Sequence, residues 1–208
     1  MTLPRPGEVP DLATLAAKLD AATWDERLAW VRSLGRSEQY ALYALAEGSP
    51  VRASELVRGG RVVRHYGRNG LGPGFNRFEK RFSTVGDVVV GYNANEFWAP
   101  VAGIAAWVTG PGHYTAYDSP EVEGEVWIDY RKVPTVRHPE FPPLSSNESG
   151  LPALVFGDMV DVLRRVSRDV FVGDSFKGRY PRETPAPLLA RIGGLLATAP
   201  FVLLQEPA

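Results

Sequence analysis

Cysteine is absent from the 208 residues, which excludes disulfides, thiol nucleophiles and cysteine-ligated metal. Histidine is scarce: His65, His113 and His138 are the only three. They lie far apart and lack H-x-H, H-E-x-x-H or H-x₃₋₅-H spacing, so no metal site is expected. No apolar stretch approaches the ~18 residues of a bilayer span. The N-terminus lacks the basic-then-apolar order of a secretory leader, so the expectation is a cytoplasmic protein with no membrane partner. Charge of one sign is also missing. A net charge of −1 gives no electrostatic reason to expect nucleic acid. Lysine is rare, four against 19 arginines. Bidentate anion recognition would use such arginines, but a GC-rich coding sequence is the simpler account.

Two further motifs are missing. Gly67-Arg68-Asn69-Gly70-Leu71-Gly72-Pro73-Gly74 is glycine-rich but contains no G-x-x-x-x-G-K-[ST], and the third glycine of G-x-G-x-x-G falls at Phe75. It reads as a turn at the rim of a sheet. Gly173-Asp174-Ser175-Phe176-Lys177-Gly178 has the wrong spacing for a nucleophile elbow.

The residues that are present suit one domain with an elaborated end: 44% are hydrophobic and 11% aromatic. After a Pro-rich lead-in, Asp11 caps a helix with Leu12, Leu15, Ala16 and Leu19 on one face. Thr23-Trp24-Asp25-Glu26 fits a capping box and starts a second helix, which Gly35 stops. Ser37 opens a third through Leu45, and a last short turn is expected at 51–57.

From Arg58 the apolar period falls from near 3.6 to near 2. Strands are expected at about 61–66, 77–83, 87–93, 102–109, 112–118, 124–131, 158–167, 170–177 and 201–205. A short helix is expected at 185–198. The segment 134–152 carries five prolines and reads as a long loop, of the kind that often forms a lid or binding loop. Short strands in hairpin order, without βαβ alternation, predict an α+β, mainly β chain. Its helical segment (1–57) precedes an antiparallel barrel (58–208) of eight or nine strands, whose interior either fills with side chains or holds one ligand.

The best-defined local unit is the hairpin Gly112–Tyr130. With a loop at 119–123, Asp118 faces Gly124, and His113 falls opposite Asp129, Thr115 opposite Trp127 and Tyr117 opposite Glu125. An imidazole beside a carboxylate is the arrangement of a general base. The hydrophobic pattern favours the other reading, in which Tyr114, Ala116, Val126 and Ile128 form the core face and His113 and Asp129 are an ordinary cross-strand polar pair in water.

Residues 58–82 are locally basic. A solvated face complementing the acidic turn at 118–125 explains them better than a nucleic-acid surface. Lys80, between Phe78 and Phe82 on one strand face, is a candidate for an anionic head group. Tyr92, Asn93 and Trp98 place amides beside large rings at a strand end, which suits a pocket. Arg164 stands among Val160, Val162 and Val166, so it either reaches the rim or meets a carboxylate of the protein or of a ligand.

The strand Phe78–Phe82, the Gly110–Tyr130 hairpin, and the late Arg164-Arg165-Val166 … Val172-Gly173 hairpin before Phe201-Val202-Leu203-Leu204 resemble bacterial lipocalin-like (calycin-type) barrels. No tryptophan here has glycine two positions before it, so the lipocalin G-x-W is absent and no site residue is carried over from that family. The resemblance implies a barrel that encloses a small, largely apolar organic molecule without a cofactor. Lys80, Tyr92, Asn93, Trp98, Trp127 and Arg164 are the expected contacts. It also implies an alternative, a cofactor-independent isomerase or cyclase acting on a natural-product-type intermediate. His113 would then be the general acid/base, Asp129 its orienter, and Tyr117 or Arg164 the group that polarises a carbonyl. A third option is an interaction module that docks a partner through its N-terminal helices.

Overall fold

Side chains satisfy the open backbone donors where each N-terminal helix starts. In a computed structural model that describes residues 2–70, 76–95, 111–149, 152–177 and 199–208, Asp11 accepts from the Thr14 amide at 2.7 Å and opens α1 (Leu12–Ala21). Thr23 and Glu26 form the expected capping box of α2 (Trp24–Ser33), a device worth about 1 kcal/mol. The third helix, α3 (Arg36–Leu45), starts just ahead of the expected Ser37, because the Glu38 carboxylate reaches back to the Gly35 amide at 2.7 Å. A 3₁₀ turn follows at Ala53–Leu56.

The rest is a closed, antiparallel, eight-stranded barrel. Its strands are β1 (Val63–Asn69), β2 (Arg77–Val85), β3 (Val88–Asn95) and β4 (His113–Asp118), then β5 (Val126–Asp129), β6 (Met159–Arg165), β7 (Val170–Lys177) and β8 (Phe201–Gln205). They are hydrogen-bonded in sequence order, and β8 closes on β1. The strand expected at 102–109 and the helix expected at 185–198 lie outside the described residues.

Alternation along the strands decides what fills the barrel. Phe82, Tyr114, Ile128, Leu163, Phe171 and Leu203 point inward and are fully buried. Two glycines make room for these rings. A Cβ at Gly91 would come within 2.3 Å of the Tyr114 ring, and one at Gly173 within 2.3 Å of Phe201. Eight strands leave an interior about the width that side chains can fill, and here rings and aliphatic side chains fill it together. One end has the short connections 86–87, 119–125 and 166–169. It is closed by the 3₁₀ turn, which buries Ala53 and Leu56 in the barrel core. The other end carries the segment between β5 and β6, described over 130–149 and 152–158.

Among the described residues, two segments cover parts of the outer face. The N-terminal helices bury Leu15, Leu19, Trp30, Val31 and Leu42 against Val170 and Val172 of β7 and Val202 and Leu204 of β8. Arg27 holds Asp169 at 2.9 Å beneath them. On another side the Pro-rich segment lies along β3 and β4 as a strap. Phe141 packs edge-on against Tyr92, with centroids 4.9 Å apart, and Asn147 donates to the carbonyls of His113 (2.5 Å) and Tyr130 (2.8 Å). Beyond it, Pro152–Phe156 forms a short helix, α4.

The hairpin register differs from the sequence expectation by two residues. Thr115 faces Asp129, Tyr117 faces Trp127 and Asp118 faces Val126, so His113 and Asp129 are not cross-strand partners. The reason is a longer loop. The Ser119 hydroxyl accepts from the amides of Glu121 (3.2 Å) and Val122 (3.0 Å), and the Ser119 amide bonds the Glu125 carbonyl. Residues 119–125 are thereby held outside the ladder. A two-residue shift preserves side-chain parity, so Tyr114, Ala116, Val126 and Ile128 are the core face, and His113, Thr115, Tyr117, Trp127 and Asp129 share the outer one.

Candidate functional site

The polar centre of the barrel is built by strand alternation in an otherwise apolar row. On β2, Phe78 and Phe82 point inward and carry Lys80 with them, 2% exposed instead of solvated. Asn93 is its cross-strand neighbour on β3 and His65 its neighbour on β1. Asp161 occupies the inward row of β6 between Met159 and Leu163, and Tyr130 follows the end of β5. These four side chains meet across the barrel. The Lys80 ammonium donates to Asp161 Oδ2 at 2.7 Å, to Asn93 Oδ1 at 3.0 Å and to the Tyr130 hydroxyl. Asn93 Nδ2 donates to the Tyr130 oxygen at 2.8 Å, and that hydroxyl donates to Asp161 Oδ2 at 3.3 Å.

Rings surround the ammonium. The centroids of Tyr130, Phe201, Tyr114 and Phe78 lie 5.0, 5.1, 5.3 and 5.5 Å from Nζ, within cation–π range. Burial pushes the Lys80 amine below its ordinary pKa, against the opposing pull of Asp161. Burial also pushes the Tyr130 hydroxyl well up, reinforced by the negative charge of Asp161. Among the described residues Asp161 Oδ1 has no hydrogen-bond partner, so one acceptor is open there in the barrel core. Next to the cluster, the His65 imidazole is fully buried. Burial drives that imidazole down to about 3.

The cluster sits toward the end that carries α4. Phe156 of α4 covers it there, stacked on Tyr130 with centroids 5.1 Å apart and planes 14° from parallel.

Of the residues expected from sequence, Lys80 and Asn93 belong to this centre. Tyr92, adjacent to Asn93, necessarily points the other way. Its hydroxyl accepts from Arg81 at 3.0 Å outside the barrel. Trp127 packs on the outer face with Val160 and Val162. Arg164 also faces outward, where it meets a protein carboxylate, Glu125, at 2.7 Å and the Tyr43 carbonyl at 2.9 Å. Its guanidinium lies 4.0 Å over the Tyr43 ring, so it ties α3 to the sheet. These three therefore do not line the interior. Trp98 lies outside the described residues.

The expected His113–Asp129 dyad is not assembled. His113 is buried under the strap with Nε2 3.1 Å from the Pro143 carbonyl. Burial is the main cause of its lowered pKa, with Arg137 adding to it. Asp129 binds Arg131 (2.8 Å) and the Tyr117 hydroxyl (2.7 Å). Burial raises its carboxyl, but those two partners outweigh burial and hold it below the ordinary value. Close by, a surface recess of about 450 Å³ is lined by Arg131, Lys132, Val133, Leu144, Ser145, Ser146 and Glu148. Among the described residues no group of three or more His, Cys, Asp or Glu side chains is placed to hold a metal ion.

Sequence reasoning missed Asp161 and Tyr130. Asp161 gives a signal of its own, a carboxylate in the row Met159, Asp161, Leu163. Nothing in the spacing says that it meets Lys80, because β2 and β6 are not neighbours.

Comparison with known protein families, with curated proteins and with solved structures gives no match to this chain.

Proposed function

We propose that this chain is a lipocalin-like barrel that binds a small, largely apolar organic molecule carrying one polar group. The molecule enters from the end that carries α4 and meets the Lys80–Asp161–Tyr130–Asn93 centre. The observation that carries this reading is the ion pair of Lys80 and Asp161, both 2% exposed, in a barrel core built mainly of rings and aliphatic side chains. Packing does not require it. A buried ion pair is commonly no more stabilising than well-packed apolar side chains of similar volume, and charged groups in such surroundings concentrate at functional sites. The open acceptor on Asp161 supports the same reading. Phe156, on a five-residue helix, is the ring that a guest would displace from Tyr130.

The alternative is a cofactor-independent isomerase or cyclase on the same barrel. What favours it is the contact of an amine, a phenol and a carboxylate within one hydrogen-bonded group, a set able to move protons. The chemistry would then belong to Lys80 and Tyr130 rather than to His113.

The test is a thermal-shift and native mass spectrometry screen of small apolar alcohols, phenols and carbonyl compounds against the wild type and Lys80→Met. Binding that weakens by about tenfold or more in the variant, roughly the loss of one hydrogen bond to a charged group, supports the reading. Equal binding by both proteins, or by neither, would overturn it.

A further inference from the structure

We infer that Lys80 condenses with the carbonyl group of a small aldehyde or ketone and holds it as an iminium inside the barrel. This rests on the binding reading above and names the class of molecule bound.

Charge balance separates a carbonyl compound from an anion. Asp161 Oδ2 already neutralises the Lys80 ammonium at 2.7 Å. An incoming carboxylate or phosphate would face that carboxylate with no spare positive charge in the cluster. A neutral carbonyl adds no charge. The product keeps the charge of the reactant, since an ammonium becomes an iminium with Asp161 still its counter-ion and four rings still around it.

The groups that condensation needs are in contact. Asp161 Oδ2 can take a proton from the ammonium and free the amine for attack. The Tyr130 hydroxyl, bonded to both Lys80 and Asp161, can protonate the carbonyl oxygen as the C–N bond forms. The phenol then recovers its proton through Asp161. Asp161 then takes a second proton from the carbinolamine nitrogen and returns it through the Tyr130 hydroxyl to the carbinolamine oxygen, so that the hydroxyl leaves as water while the freed nitrogen lone pair forms C=N. Two of the three ammonium hydrogens leave with the carbonyl oxygen as one water, and nothing is oxidised or reduced. Desolvation helps twice: it raises the neutral fraction of the amine, and exclusion of bulk water protects the iminium from hydrolysis.

The other lysines serve as internal controls, because the chain has only Lys18, Lys132 and Lys177 besides Lys80. The full chain is incubated at neutral pH with benzaldehyde and sodium cyanoborohydride, which reduces an imine to a stable secondary amine, and the modified lysine is located by peptide mass spectrometry. Benzyl alcohol, which cannot condense, is run in parallel as a ligand by thermal shift. The expected result is an adduct at Lys80 in at least about tenfold excess over Lys18 and Lys132, since a desolvated amine holds far more of its neutral form at that pH. Adducts spread evenly, confined to Lys177, or absent from Lys80 while benzyl alcohol still raises the melting temperature would overturn the iminium and leave the binding reading standing. If neither compound shifts the melting temperature and no Lys80 adduct forms, both fall together.

Discussion

Lys80 and Asp161 lie 81 positions apart on strands that share no ladder, yet Nζ and Oδ2 are 2.7 Å apart at the centre of the barrel. Closure of the sheet creates that contact. Each residue sits in an inward row that strand parity imposes, and only the curvature of eight strands brings the rows face to face.

Breaking this pair and replacing it have opposite consequences. Asp161→Ala leaves an unpaired ammonium in an apolar cage and is expected to cost about 3–5 kcal/mol. The double variant Lys80→Met/Asp161→Leu leaves Asn93 and Tyr130 bonded to each other and should lie within about 1 kcal/mol of wild type or above it. Urea unfolding of the three proteins decides. A double variant as unstable as Asp161→Ala would show that the pair is needed by the fold.

His65 predicts sensitivity to acid. Its imidazole is held at about 3 in the folded chain, against an ordinary 6.5. Between those values the unfolded chain binds a proton that the folded chain refuses, so stability is full above 6.5 and falls as pH drops toward 3. The loss attributable to this one group is on the order of 5 kcal/mol at most. His65→Leu should flatten the stability curve over that window. An unchanged acid slope in the variant would assign the effect to other groups.

The rings at Gly91 and Gly173 leave no room for a methyl group. Gly173→Ala puts a Cβ within 2.3 Å of the Phe201 ring and is expected to destabilise by about 1–3 kcal/mol through overpacking. Adding Phe201→Leu should recover part of that loss, because the two sites share one volume. Strictly additive melting data would argue that the ring is free to move aside.

Asn147 fastens the strap by donating to two backbone carbonyls, those of His113 and Tyr130. Asn147→Ala should destabilise by about 1–3 kcal/mol, the range for leaving buried acceptors unpaired. Amide hydrogen exchange should rise across 138–147 while the β6 and β7 amides stay protected. Unaltered exchange in that segment would assign its anchorage to Phe141 and the prolines.

The candidate site was only partly legible in the chain. Phe78, Lys80 and Phe82 show by alternation that a lysine shares a face with two rings, but the spacing is equally compatible with a wet face and a buried one. Asp161 stands out between Met159 and Leu163 in the same way, without naming its partner. The His113–Asp129 pairing failed on a loop longer by two residues, a length that turns on the hydroxyl of Ser119. Arg164 does meet a carboxylate, and the carboxylate is the protein's own Glu125.

Local chemistry alone determined the helix caps at Asp11 and Thr23, the change of period near Arg58, the antiparallel hairpin order and the burial of the Tyr114–Ile128 face. Each depends on neighbours a few residues away or on the two-residue repeat of a strand. Only the tertiary structure decided that β8 closes on β1, that rings and aliphatic side chains fill the barrel, and that one lysine and one aspartate meet inside it. Those outcomes depend on distances between residues that no spacing along the chain encodes.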